Sequence, residues 1–241
     1  MDIMRKHFKA RIAGLVFELD TTSPSACVLC RNYLCDDDPD LRLKVTKADV
    51  DQLLFSEPRR HTKVSAETTA ALIKVIEAVI PYGILMMHGA VVATNNQAYM
   101  FTAPSGVGKS TRAKIWLKEF SESFVVNGDK PLIKFTNNEI LACGTPWCGN
   151  EGWNVNTTVP LRAIFLLERA EEGEQSSIEE VSLGKAFPFL LQQTYRPEDP
   201  DLMKQTLSLM KELEDKVKIY KYRSTPTKES IHLAYETARP R

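Results

Sequence analysis

Residues 103–110 read Ala-Pro-Ser-Gly-Val-Gly-Lys-Ser, and the reading of this run decides the fold. It has the spacing of a phosphate-binding loop: Ala or Gly, four residues, Gly-Lys, then Ser or Thr. Upstream, Ala98–Thr102 reads as a strand; downstream, Thr111–Glu119 reads as a helix. That is the context the motif requires. Glycines let backbone N–H groups turn toward phosphate oxygens, and the helix N-terminus adds the positive end of its dipole. In this reading Ser105, Gly106, Val107, Gly108, Lys109, Ser110 and Thr111 hold a nucleotide. Lys109 neutralises the β- and γ-phosphates, and the Ser110 hydroxyl reaches Mg²⁺. The alternative is an ordinary Gly-rich strand-to-helix turn. Ala103 stands where glycine is commoner, so the backbone there has to avoid positive φ.

Outward from the loop, the pattern predicts a mixed α/β protein. Ile84–Met87, Ala90–Ala93 and Ala98–Thr102 read as a meander of short strands entering the loop, with Asn95-Asn96 as a turn. Ser123–Val126 and Leu132–Phe135 are further strands, and Asn137-Asn138 is a hairpin turn. Leu161–Leu167 is apolar enough for a central strand. Trp116 and Phe120 read as core anchors. Ala170–Gln175 reads as a charged turn, Ser182–Gln193 and Asp199–Asp215 as helices, Val217–Tyr222 as a late strand and Thr227–Ala238 as a terminal helix. Residues 83–241 are therefore expected to be one nucleotide-binding domain with a C-terminal helical segment.

Residues 1–82 read as a separate small α/β module. Strands are expected at Phe8–Leu19, Ala26–Leu34 and Leu41–Val45, with Asp36–Pro39 as a turn. A helix is expected over Ser65–Ile80, with Ser65 as its N-cap and Pro81 and Gly83 as its stop.

The chain has 241 residues, 43% of them hydrophobic and 26% charged, with 31 Lys plus Arg against 31 Asp plus Glu. This suits one soluble domain or two small ones. Without a basic excess, nucleic acid is not an expected partner. The N-terminus lacks an apolar h-region, and the apolar stretch near Ile73–Met87 is broken by Lys74, Glu77 and Pro81. No membrane association and a cytoplasmic location are expected. Five cysteines, an odd count, suit reduced thiols. Cys27 and Cys30 would face opposite ways on a strand, so buried structural thiols are expected rather than a metal or redox site.

A phosphate loop is completed by a carboxylate for Mg²⁺ at the end of a neighbouring strand. Asp129 fits, following the apolar Phe124-Val-Val; the competing reading of Asn127-Gly128-Asp129 is a hairpin turn. Lys130 could meet a phosphate or simply lie at the surface. His88, directly before Gly89-Ala90, is a candidate proton acceptor, because histidine titrates near working pH. The stretch Gly144–Trp153 holds two tryptophans, three glycines and a proline, which suits either a pocket wall or a packed surface loop.

Three segments in this order are distinctive: His88-Gly-Ala-Val-Val, Phe101–Thr111, and Val125–Pro131 followed by Gly144-Thr-Pro-Trp147. Together they resemble the HPr kinase/phosphorylase-like family, related in its core to ATP-dependent phosphoenolpyruvate carboxykinases. The match covers about residues 84–170; residues 1–82 resemble the variable front part of a shorter branch of that family. The resemblance implies a P-loop kinase fold in which ATP, with Mg²⁺, phosphorylates a hydroxyl, commonly of serine, on a peptide, protein or small molecule. It implies Asp129 as the metal-binding acid alongside Ser110, His88 beside the reacting hydroxyl, and Glu151 at a loosely matching acidic position. His88, Asp129 and Glu151 are thus the expected catalytic group. The chain departs from the pattern at Gly128, where the HPr kinases carry an acid that accepts and donates the proton. The proton would then pass to His88, with Glu151 as the second choice. A C-terminal helix for HPr docking has no counterpart here, so HPr itself is not the expected acceptor. The other function class is a non-catalytic ATP-binding sensor or accessory module.

Overall fold

The structure is a computed structural model that describes residues 4–56, 61–171 and 174–239. The chain divides into two compact units, Met1–Tyr82 and Gly83–Arg241. The protein is mixed α/β, with helices beside a curled mixed sheet.

In the first unit, β1 (His7–Ile12) and β2 (Leu15–Asp20) form an antiparallel hairpin, and β3 (Leu41–Lys44) runs parallel to β2. The single strand expected over Phe8–Leu19 is split because Ala13 and Gly14 take φ of 54° and 85°. Two successive left-handed residues make the tight turn whose twist matches that of paired strands. The strand expected over Ala26–Leu34 is instead a short helix, α1 (Ser25–Leu29), followed by turns. A short apolar run fits either structure by pattern alone. Pro24 decides it: at φ −72°, ψ −4° it presets the helical backbone at the N-cap.

Helix α2 (Lys47–Ser56) was not foreseen; α3 (Lys63–Val79) starts earlier than expected and is capped by Thr62, not Ser65. Thr62 Oγ1 accepts from the Ser65 amide at 3.2 Å, and Ser65 Oγ accepts from the Thr62 amide at 2.8 Å. Ser65 is therefore the return arm of a reciprocal capping box. Glu67 of α3 is buried and accepts from the Thr22 hydroxyl at 2.8 Å and from the Ser23 amide and hydroxyl. These bonds satisfy a carboxylate that would be costly to bury unpaired.

The second unit is organised by its longest strand. The earlier strands are β4 (Ile84–Met86), β5 (Ala90–Thr94), β6 (Gln97–Thr102), β7 (Phe124–Asn127), β8 (Leu132–Phe135) and β9 (Ile140–Cys143). They are followed by β10 (Thr158–Arg169), β11 (Ser177–Glu180) and β12 (Lys218–Ser224). On one edge β10 pairs antiparallel with β9 and then parallel with β12; on the other it pairs parallel with β6. One strand thus belongs to both halves of the curled sheet, which its apolar sequence permits.

The expected meander fails at its first strand. β4 pairs with β8, not β5, while β5 and β6 form a hairpin through Asn95 and Asn96, at φ 52° and 57°. The expected charged turn at Ala170–Gln175 includes residues 172–173, which lie outside the described residues. The helix expected over Asp199–Asp215 is two helices, α6 (Pro200–Lys211) and α7 (Leu213–Lys216), meeting at Glu212.

Helices α4 (Lys109–Glu119) and α8 (Lys228–Ala238) cover one face of the sheet, and α5 (Leu183–Gln193) leads to the segment beside β4. The core under α4 and α8 is aromatic: Tyr99, Phe101, Trp116, Phe165, Tyr220 and Tyr222. Trp116 is fully buried and donates its indole N–H to Thr94 Oγ1 at 2.6 Å. A buried indole both fills a large volume and keeps its one donor satisfied. The strand directions matter most for function. β5 is antiparallel to both β6 and β7, so its start lies at the same end of the sheet as the ends of β6 and β7. That single edge carries His88, residues 103–110 and Asp129.

Candidate functional site

The loop after β6 has the conformation its glycines allow. Gly106 and Gly108 sit at φ 82° and 107°, a region costly for any residue with a Cβ. A Cβ at Gly108 would also meet an Arg112 nitrogen at 2.7 Å. Ala103 is buried and has no positive φ, so the missing glycine is tolerated there.

Cationic side chains hold the loop's carbonyls. Lys109 Nζ donates to the carbonyls of Ala103 at 2.9 Å and Pro104 at 3.3 Å. Arg112 donates to those of Val107 at 3.2 Å and Gly108 at 3.3 Å, and Arg169 to that of Gly106 at 3.2 Å. Arg112 is itself buried, pinned to the Ser224 carbonyl at 2.6 Å and its hydroxyl at 2.9 Å, and lies over the Tyr222 ring at 5.7 Å. Burial lowers the Lys109 pKa, with the Asp129 charge working in the opposite direction. A half-desolvated ammonium beside a helix N-terminus is a strong attractor for a multiply charged anion.

Asp129 is aimed by the turn that carries it. Asn127, fully buried, accepts at Oδ1 from the amides of Asp129 at 2.9 Å and Lys130 at 2.7 Å. Its Nδ2 donates to the Thr145 hydroxyl at 2.9 Å and to the carbonyls of Thr145 and Trp147 at 3.0 and 3.3 Å. One amide thus ties the 127–130 turn to the 145–147 segment. The Asp129 carboxylate pairs with Lys130 and with His88 Nε2, the latter at 3.2 Å. Burial pushes its pKa up, but hydrogen bonds from His88 and Lys130 outweigh that and hold it down at about 2. It is a carboxylate at any ordinary pH.

His88 is fastened at every polar atom. Its amide donates to the Gln193 carbonyl at 2.7 Å, and its carbonyl accepts from the Thr102 hydroxyl at 2.7 Å. Nδ1 lies 3.1 Å from Gln193 Oε1. An ionised carboxylate only accepts hydrogen bonds. Nε2 faces the Asp129 carboxylate at 3.2 Å, while Nδ1 faces the Gln193 carboxamide. Both ring nitrogens of His88 thus have a polar neighbour inside the cleft.

The loop after β9 closes the site. A Cβ at Gly144 would lie 1.8 Å from the Val155 carbonyl oxygen, so only glycine fits. Gly149 and Gly152 have φ of 78° and 68° and frame a turn that presents Asn150 and Glu151. Among the described residues, no hydrogen bond or ion pair occupies the Glu151 carboxylate. Trp147 is buried; Trp153 packs against the aromatic core with Lys114 over its ring at 5.4 Å.

One cleft of about 400 Å³ gathers these parts. It is lined by His88, Ser105, Gly106, Gly108, Lys109, Ser110, Thr111, Gly128, Asp129, Gly149, Asn150 and Glu151. Every residue expected to hold the nucleotide or metal or to act in catalysis lines it except Val107, which packs into the aromatic core; Lys130, Trp147 and Trp153 do not line it. Arg112, Asn127, Arg169 and Gln193 were not foreseen. Arg112 had a readable signal: it shares the buried face of α4 with Lys109, Ala113 and Trp116. Gln193 had none, being 105 residues from His88.

Among the described residues no group of three or more His, Cys, Asp or Glu side chains could hold a metal by itself. A Mg²⁺ shared with a nucleotide needs only one or two protein ligands, and the Ser110 hydroxyl and ionised Asp129 in one cleft fit that role. The five cysteines are free, and Cys30 is fully buried, which raises its thiol pKa and makes it unreactive. No helix among the described residues is long and apolar enough to cross a membrane. No family model matches the chain, and no curated protein aligns with it.

Proposed function

We propose that residues 83–241 form a P-loop kinase domain of the HPr kinase/phosphorylase-like kind. It uses ATP and Mg²⁺ to phosphorylate a hydroxyl, most simply that of serine, on a peptide, protein or small molecule. One observation carries this reading: a single cleft collects the glycine-rich loop, Lys109, Ser110, Asp129, His88 and Glu151.

Phosphoryl transfer asks a protein mainly for positioning and charge neutralisation. The loop amides and Lys109 hold the phosphates. Ser110 and Asp129 are the groups that would hold Mg²⁺, which when bound neutralises charge on the phosphates. His88 and Lys130 keep Asp129 ionised and aimed. Glu151, in the same cleft and without a partner among the described residues, would receive the hydroxyl proton in this reading. Position 128 offers no carboxylate, and His88 Nε2 lies 3.2 Å from Asp129.

The second reading, a nucleotide-binding sensor or accessory module, is favoured by Gly128 alone. The deciding experiment incubates the purified protein and Mg²⁺ with γ-labelled ATP and a panel of free serine, serine-containing peptides, proteins and small alcohols. Label transfer supports the kinase. ATP binding without transfer to any acceptor supports the sensor, and no ATP binding overturns both.

A further inference from the structure

We propose that Gln193, at the C-terminal end of α5, is a positioning residue of this site: its carboxamide fixes the His88 ring so that Nε2 meets Asp129. This rests on the reading of Asp129 as a metal-holding acid.

Gln193 grips His88 twice. Its backbone carbonyl accepts from the His88 amide at 2.7 Å, and its side-chain oxygen lies 3.1 Å from Nδ1. The second contact is the informative one. The backbone bond fixes where His88 is; the ring could still turn about its last torsion, which is broad and roughly two-fold for histidine. Only a partner at Nδ1 selects the orientation that delivers Nε2 to Asp129.

Gln193 is itself immobilised. It is buried, with 7% of its surface exposed, so its amide is expensive to leave unpaired. The chain after it is bonded to the extension of β4: Met87 bridges Thr194, and the Tyr195 amide donates to the Met86 carbonyl at 3.0 Å. The Thr194 hydroxyl returns to the Leu190 carbonyl of α5 at 2.8 Å. A rigid support thus reaches the cleft through one amide and one imidazole. If the ring is released, the Asp129 carboxylate keeps, among the described residues, the ion pair with Lys130, its sequence neighbour, and is free to follow that flexible side chain out of aim. Groups that orient a metal-holding carboxylate from behind typically change metal affinity by about ten- to a hundredfold.

The test compares wild type, Gln193→Leu and Gln193→Glu in the full chain. Calorimetry measures ATP affinity with Mg²⁺ and with EDTA, and NMR records the His88 ring resonances without nucleotide. Gln193→Leu removes the carboxamide that meets Nδ1; Gln193→Glu keeps an oxygen at that place, which holds Nδ1 when this nitrogen carries a proton. The expected result is a loss of about tenfold in the Mg²⁺-dependent gain of affinity for Gln193→Leu. Its EDTA affinity and melting temperature stay unchanged, its His88 ring signals shift, and Gln193→Glu recovers most of the gain. Wild-type gain in Gln193→Leu overturns the proposal. So does a general loss of stability and affinity that Gln193→Glu does not rescue. If wild type itself shows no Mg²⁺-dependent gain, the metal reading of Asp129 fails on its own. The ring spectra then decide: unshifted His88 signals in Gln193→Leu overturn the positioning role, and shifted ones support it.

Discussion

Gly128 and the carbonyl oxygen of Cys148 compete for one space: a Cβ added at residue 128 would lie 2.8 Å from that oxygen and 3.5 Å from the Trp153 carbonyl. The Gly128 amide already donates to that Trp153 carbonyl at 2.9 Å. The loop after β9 has thus closed over position 128, where the proposed kinase reading would call for a proton-accepting acid. Reinstating an acid there requires the backbone at 148–153 to retreat. Gly128→Asp is therefore expected to destabilise the fold by about 1–3 kcal/mol, the usual cost of overpacking. It is also expected to confer no transfer activity. Urea denaturation reads the first effect; a variant as stable as wild type would show that the loop yields freely.

Lys109→Met should lower ATP affinity by tenfold or more while leaving the melting temperature nearly unchanged. The ammonium is largely buried among loop carbonyls, and the methionine keeps most of the stem's apolar contacts. What is lost is the charge facing a multiply charged anion. Calorimetry giving equal affinities for both proteins would remove the loop from any account of nucleotide binding.

How far the site could be read in advance depended on whether a residue's partner was local. The glycine-rich loop, its helix and Asp129 were legible because each rests on short-range backbone chemistry: a positive φ, a helix start, a strand end. The single edge on which they meet follows from antiparallel pairing of β5 with β6 and β7, which the Asn95-Asn96 turn half announced. The role of Asn127 was hidden because Asn-Gly is also a hairpin signal, and its amide works across to Thr145 and Trp147. Gln193 was hidden more deeply, because tertiary packing alone brings α5 to His88. The same limit explains the strand wrongly expected at Ala26–Leu34: the pattern was too short to separate a strand from a helix, and Pro24 settled it.

Asn127→Ala should be among the most damaging substitutions near the cleft. It would leave the amides of Asp129 and Lys130 without their side-chain acceptor and take the Nδ2 donor from the Thr145 carbonyl, at a fully buried side chain. Each orphaned buried group costs about 1–3 kcal/mol, so a loss of at least about 2 kcal/mol is expected. Chemical denaturation checks it. A loss below about 0.5 kcal/mol, the scale of ordinary surface substitutions, would mean that the two segments are held together by something else.

Asp129 makes stability depend on pH in the acid range. Its carboxyl pKa falls from the ordinary 3.8 to about 2 in the folded chain, burial raising it and the hydrogen bonds from His88 and Lys130 lowering it further. A depressed carboxyl contributes stability that is complete above the unfolded pKa and is lost as pH falls through the folded one. The window is therefore from about pH 4 down to about pH 2. Asp129→Asn has no proton to take up there, so its stability should fall less steeply than that of wild type between pH 4.5 and pH 2, on the scale of roughly one pKa unit or two. At pH 7 the same variant should fold, because asparagine keeps the size and one acceptor oxygen. It should also bind ATP with little further gain on adding Mg²⁺, because the hard anionic ligand is gone. Parallel urea melts across the acid range and calorimetry at neutral pH read the two effects separately. Identical acid profiles would show that the His88 and Lys130 contacts do not hold Asp129 down. An undiminished Mg²⁺ gain would show that Asp129 is not the acid that holds the metal.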